Sequence, residues 1–374
     1  MTNISRSIEK VTNEFLREKI VLISGPRQVG KTHFSTNLKR NYDYLNFDNV
    51  EHRRLVIKKE WKRDKELLVL DEVHKMKSWK QWLKGIYDVE GIKLPIIVTG
   101  SARLDVYRKG GDSLAGRHHL LRLMPLSINE VDRKQSKEVF EQLLAFGGFP
   151  EPFIKSNTRS AKLWRKSHLD VVLREDLLDL EKVRDIKSIE ILVDLLAERV
   201  GSSISFASLA RDLQVSPHTV KHWINVLEDL YVIFVVPPYS KNLSKAHLKE
   251  PKIYFYDIGR VEKDAARLEN MVAYHLLKRV LFLEDTEGEK ARLYYIRDRE
   301  QREVDFLTVI NNKPEWLIEV KTSEEDLSKS LVYYHARVKP EKSFQLLQNV
   351  SRERDTASGI SIASLVDFLA NLET

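Results

Sequence analysis

Between Lys19 and Leu38 the chain reads KIVLISGPRQVGKTHFSTNL: an apolar run, a glycine-bounded loop and then a helical pattern. Gly25, Gly30, Lys31 and Thr32 satisfy the spacing G-x-x-x-x-G-K-[ST]. That spacing narrows the fold sharply. A loop with inward-pointing amides makes an anion cradle, and the helix starting behind it adds its positive N-terminal dipole to the same spot. Gly25 and Gly30 permit backbone angles and a close approach that a Cβ would obstruct. The run Gly25, Pro26, Arg27, Gln28, Val29, Gly30, Lys31, Thr32 and His33 is therefore expected to hold a polyphosphate. Lys31 would reach the β- and γ-phosphates, and the Thr32 hydroxyl would ligate Mg²⁺.

Further along, the apolar run Leu67 to Leu70 predicts a buried strand that delivers Asp71 and Glu72 at its end. Adjacent carboxylates so placed suit Mg²⁺ coordination through water by Asp71 and orientation of an attacking water by Glu72. The pair favours a hydrolase over a passive nucleotide binder. Another strand, PIIVTGSARL, ends with Thr99 and Ser101. In a parallel sheet, strand ends of this polarity converge on the ligand crevice. Either residue would then sense the γ-phosphate, with an ordinary helix cap as the plain alternative. In SLAGRHHLLRLMPLS, Arg117 is a candidate arginine finger acting within its own chain or on a neighbouring subunit, or else the partner of an acid. His118 and His119 read as strand residues, and Asp48, at the end of YDYLNFDN, as a helix cap rather than a metal ligand.

At 374 residues the chain exceeds one hydrophobic core, so two or three domains are expected. With no cysteine, disulfides and thiolate metal sites are excluded, and the longest apolar run, Leu230 to Val236, is too short to span a bilayer. Together with the lack of an apolar N-terminal segment, this predicts a cytoplasmic protein with no membrane contact. A net charge of +7 permits nucleic-acid contact without requiring it.

FGGFPEP, ending at Pro152, is a breaker cluster that marks a hinge. Helical periodicity follows over 160–200. Ser202 to Val236 reads as short helix, turn, longer helix and strand, with Pro217 placed to start the second helix. This is the pattern of a winged helix-turn-helix. Its exposed polar positions would be His218, Thr219, Lys221, His222 and Asn225, followed by the basic tract Lys241 to Lys252. Beyond it, Glu303 to Ile310 and Glu315 to Lys321 predict strand, turn and strand, bringing Asp305, Glu319 and Lys321 together as a D…E-x-K set. Glu269, on a preceding helix, is available to complete a metal shell.

Two resemblances follow from these residues. GPRQVGKT, LLVLDEVHKMKSW, VTGSARL, SLAGR and MPLSINEV, in this order, resemble the prokaryotic AAA-type ATPases that carry a C-terminal domain of unknown function. That resemblance implies an AAA-like core, ATP with Mg²⁺, and the roles above for Lys31, Thr32, Asp71, Glu72 and Ser101. Glu269, Asp305, Glu319 and Lys321 together resemble the PD-(D/E)-x-K nuclease superfamily, although Val304 rather than proline precedes Asp305. The expected class is thus α/β in three parts. Residues 1–150 form a P-loop AAA-like parallel sheet domain, 151–240 a helical lid with winged helix, and 241–374 a restriction-endonuclease-like domain. The expected activity is ATP hydrolysis coupled to the C-terminal module, with nucleic acid and further copies of the chain as expected partners. The alternatives are a nucleotide-dependent switch that docks a protein, and a metal-dependent DNA endonuclease.

Overall fold

The computed structural model describes residues 4–91, 93–100, 114–131, 135–177, 185–240, 250–323 and 326–373. Ser101 and most of the basic tract, residues 241–249, lie outside the described residues. The chain divides into two units, Met1–Pro125 and Leu126–Thr374.

In the first unit, strands β1 (Ile20–Ser24), β2 (Tyr42–Asn46), β3 (Leu67–Asp71), β4 (Ile96–Thr99) and β5 (His118–Arg122) form a parallel sheet in the order β2-β3-β4-β1-β5. Every residue of β1, β3 and β4 is buried. Strands covered on both faces need apolar residues throughout, which is why they read as continuous runs rather than alternations. Helices α1 (Glu9–Phe15), α2 (Lys31–Asn37), α3 (Val50–Lys58) and α4 (Trp79–Glu90) connect or flank them. Leu68, Leu70 and Val98 pack with Trp79, Leu83 and Ile86 of α4 on one face. Each such side chain contributes roughly 1.5–3 kcal/mol on burial. Because the strands are parallel, the carboxyl ends of β1, β3 and β4 lie at one edge.

The core face of α1 runs through Ile8, Thr12 and Leu16. Burying Thr12 is tolerated because its hydroxyl donates to the Ile8 carbonyl at 2.7 Å. The cap of α3 is Asn49, whose side chain accepts from His52 N at 3.0 Å. Asp48 instead pairs with Lys75 at 2.5 Å.

The second unit begins at Leu126, earlier than the expected boundary near residue 150. Leu126 N donates to the Gly148 carbonyl at 2.6 Å, so the FGGFP stretch is tied inside this unit. Helices Ser136–Phe146, Pro150–Lys155, Thr158–Val171 and Ile186–Glu198 follow. Helices Phe206–Leu213 and Pro217–Asp229 come next, capped by the side chains of Ser205 and Ser216. Strands β6 (Ile233–Val236) and β7 (Lys252–Phe255) pair antiparallel, and Ser203 bridges Lys252.

A 23-residue helix, Asp264–Thr286, leads into a six-stranded mixed sheet. It contains β8 (Ala291–Arg297), β9 (Glu303–Ile310), β10 (Lys313–Lys321), β11 (Lys342–Leu347), β12 (Arg354–Asp355) and β13 (Ser361–Ser364), in the order β12-β13-β11-β10-β9-β8. Strands β8, β9 and β10 form an antiparallel meander, after which helix Lys329–Val338 crosses to β11, parallel to β10. Asn311 and Asn312, with φ of 50° and 65°, make the tight turn between β9 and β10. Among the described residues, no helix is long and apolar enough to cross a membrane.

Candidate active site

The glycine-bounded loop joins β1 to α2 at the carboxyl edge of the first sheet. Gly25 has φ 135°, and a Cβ there would lie 2.2 Å from the Leu123 carbonyl oxygen just past β5. Only glycine fits. Gln28 and Gly30 are also left-handed, with φ of 59° and 95°, and Gly30 opens α2. Val29 is fully buried and anchors the loop. Arg6, ahead of α1, donates to the Val29 carbonyl at 3.2 Å and also to the Met124 carbonyl. Lys31 folds over the loop, its Nζ donating to the carbonyls of Gly25 (2.9 Å) and Pro26 (2.7 Å).

Two strands away, Asp71 ends β3 beside both Asn46 and Thr99. Its Oδ2 accepts from Thr32 Oγ1 (3.0 Å) and from Tyr44 OH (2.8 Å), and its Oδ1 accepts from Thr99 Oγ1 (2.6 Å). Residues 39 positions apart in sequence, Thr32 and Asp71, are thus in direct contact. Tyr44 titrates at about 12, first because of burial and then because of the nearby carboxylates of Asp71 and Glu72.

Glu72 turns into the left-handed region at φ 58°. Burial raises its carboxyl above the ordinary value, and Lys75 pulls the other way. Lys75 Nζ lies 3.4 Å from Glu72 Oε2 and also pairs with Asp48. Among the described residues Glu72 Oε2 has no hydrogen-bond partner. The hard oxygen donors of Thr32 and Asp71, with the half-buried Glu72 carboxylate alongside, suit a magnesium-bound triphosphate and a water.

Arg117 is not brought to this edge. Parallel pairing sets Ile20 opposite His118, and Ile20 N donates to the Arg117 carbonyl at 3.2 Å, so Arg117 flanks the amino end of β1. Its Nε donates to Asp88 Oδ1 on α4 at 2.6 Å. Of the alternatives for this residue, pairing with an acid describes its position, and a finger within the same chain does not. His118 and His119 are strand residues, and His119 stacks on Phe15 at 3.9 Å.

In the second unit, the β9–β10 register places Asp305 opposite Glu319. Asp305 Oδ2 accepts from Val320 N at 2.9 Å, and Lys321 Nζ lies 3.3 Å from Glu319 Oε1. Glu269 does not complete a metal shell with them. Its Oε1 accepts from Tyr254 OH (2.6 Å) and from Lys252 Nζ (3.1 Å). Burial, then the Asp305 charge, pushes Glu269 up to about 7 and Glu319 up to about 8. Among the described residues, no three His, Cys, Asp or Glu side chains converge so as to hold a metal ion.

Sequence reasoning missed Arg6, Tyr44, Lys75 and Lys252. Lys252 had a signal: a lysine opening KIYF, a strand that is otherwise fully apolar.

The loop, the two-carboxylate strand end and the interposed β4 give the first unit the arrangement of a P-loop nucleotide-binding domain. Residues 17–132 match the family model of an AAA domain. Residues 137–270 and 265–365 match two domains of unknown function, DUF8612 and DUF4143. An uncharacterized protein of Mycobacterium tuberculosis is 26% identical over 326 residues, covering 84% of this chain and 73% of that protein. One from Methanocaldococcus jannaschii is 24% identical over 376 residues, covering 90% and 82% respectively. Among solved structures, the RuvB Holliday junction branch migration motor of Thermotoga maritima aligns with a TM-score of 0.31 at 17% identity. That alignment covers 65% of this chain and 94% of that one.

Proposed function

We propose that this chain is a Mg²⁺-dependent ATPase whose nucleotide cycle acts on its C-terminal part, with nucleic acid as the polymer engaged. The observation that carries the reading is the contact of Thr32 with Asp71 at 3.0 Å, which brings the phosphate loop and the carboxylate strand end to one point. Bound magnesium would neutralise charge on the β- and γ-phosphates. The chain's own residues do the rest. Loop amides and Lys31 hold the triphosphate, Thr32 and Asp71 supply oxygen donors, and Tyr44 and Thr99 orient Asp71. Glu72, with its carboxyl raised, takes the proton of the attacking water as it displaces ADP in line, the bond from the γ-phosphorus to the bridging oxygen breaking and that oxygen leaving on the β-phosphate. Lys31→Ala tests the assignment: ATP binding or turnover should be lost, and unchanged turnover would refute it.

The nucleic-acid part of the reading rests on helices Ile186–Glu198, Phe206–Leu213 and Pro217–Asp229 followed by the antiparallel β6–β7 pair, a winged-helix order. His218, Lys221 and Asn225 are exposed on the third helix. A second reading, a slow nucleotide switch, is favoured by the Lys75 contact that holds Glu72 in an ion pair. ATPase rate with and without single- and double-stranded DNA separates the two: a polymer-driven enzyme accelerates, and a switch stays slow.

A further inference from the structure

From Asp264 onward the second unit runs helix, three-strand meander, helix and parallel strand, with Glu269 on that long helix and Asp305, Glu319 and Lys321 on strands β9 and β10. In a nuclease of that order the acids would share a divalent cation. Here a side chain from outside that core enters the cluster. Lys252, on β7, is 1% exposed, and its Nζ lies 2.7 Å from Glu303 Oε1, 3.1 Å from Glu269 Oε1 and 3.6 Å from Asp305 Oδ1.

A buried ammonium is stable only where carboxylates surround it. Burial opposes its charge, and Glu269, Asp305 and Glu303 outweigh that opposition, so the lysine stays protonated. Several of the cluster's oxygens are engaged already, although Glu319 Oε2 has no hydrogen-bond partner among the described residues. Glu269 Oε1 also takes the Tyr254 hydroxyl, and Asp305 Oδ2 takes the Val320 amide. A divalent ion bound to Asp305 at roughly 2.0–2.6 Å would sit a few ångströms from a fixed positive charge in a low-dielectric site.

We infer that Lys252 is the resident cation of this cluster, so that the C-terminal module carries a nuclease-like arrangement with a metal-free ionic core that ties β7 to the long helix and β9 and does not cleave DNA. The inference rests on the nuclease-like reading of these elements and is independent of the nucleotide chemistry of the first unit.

The test is Mn²⁺ titration of the full chain, without nucleotide, followed by electron paramagnetic resonance. The wild type is expected to have no site that Glu319→Gln removes. Lys252→Met, which keeps the length and deletes the charge, should bind Mn²⁺ at least tenfold more tightly, and adding Glu319→Gln or Asp305→Asn should abolish the gain. Lys252→Arg, which keeps the charge, should gain nothing. A wild-type Mn²⁺ site lost in Glu319→Gln would overturn the inference, as would a folded Lys252→Met with no gain. Should Lys252→Met fail to fold, the wild-type titration and a wild-type DNA-cleavage assay in Mn²⁺ still decide, and cleavage lost in Asp305→Asn refutes the inference. ATP binding, measured in parallel, should be unchanged in all these variants and lost only in Lys31→Ala, so failure of the nucleotide reading shows separately.

Discussion

Thr99→Val probes how Asp71 is held. Asp71 is 6% exposed, and among the described residues its charge is met by three hydroxyls, those of Thr32, Tyr44 and Thr99. The Thr99 bond is the shortest of the three, at 2.6 Å, and Thr99 is fully buried, so water cannot replace the lost donor. A hydrogen bond to a charged group contributes about 1.5–3 kcal/mol, and valine nearly conserves the volume while leaving Asp71 Oδ1 unpaired. The expected result is destabilisation of the first unit by about 2 kcal/mol in urea denaturation. Freed from β4, the Asp71 carboxylate should also need more Mg²⁺ for half-maximal ATP turnover, by about tenfold or more if that energy falls on the bound state. Thr99→Ser should restore both values. A Val variant with wild-type urea midpoint and wild-type Mg²⁺ dependence would refute the reasoning.

Three further outcomes are expected. Glu72→Gln should bind ATP with near-normal affinity but hydrolyse it at least about 100-fold more slowly, as loss of a general base predicts; fluorescent-nucleotide binding and phosphate release measure the two. Arg117→Ala should leave turnover within about twofold, since its Asp88 ion pair is solvent-accessible and of little energetic weight. A large loss that depends on protein concentration would instead assign Arg117 to a neighbouring subunit. His275, whose Nδ1 donates to the Met271 carbonyl at 2.8 Å, is held neutral by burial with its titration lowered from 6.5 to about 4. The unfolded chain protonates first. The His275 contribution to stability, read as the difference between wild type and His275→Gln in urea titrations, should therefore be level above pH 6.5 and be lost on acidification toward pH 4, by roughly 3 kcal/mol, while the raised carboxyls of Glu269 and Glu319 give a slope of the opposite sign.

What could be read ahead of the structure was local in sequence. The phosphate loop, the Leu67–Glu72 strand end, the Pro217 helix start and the β9–β10 turn each lie within about ten residues, where periodicity and turn chemistry act. The misreadings all involve partners distant in sequence. Asp48 read as a cap because nothing local reveals Lys75, 27 positions on. For Arg117 the choice between a finger and an acid's partner stayed open, because its sequence context does not disclose that it lies at the amino end of a parallel strand, beside Asp88. Glu269 read as available to a metal because nothing local reveals Lys252, 17 positions back on β7, whose ammonium lies 3.1 Å from it.

Arg6 has a wider consequence. It hangs the backbone of the nucleotide-gripping turn from the short stretch that precedes the first helix. That turn therefore draws part of its firmness from a mooring upstream, beside the buried Val29 and the Lys31 bonds. Whatever tugs on or crowds the leading residues, whether a fused tag or a docked neighbour, pulls at the same time on the hand that closes over the triphosphate.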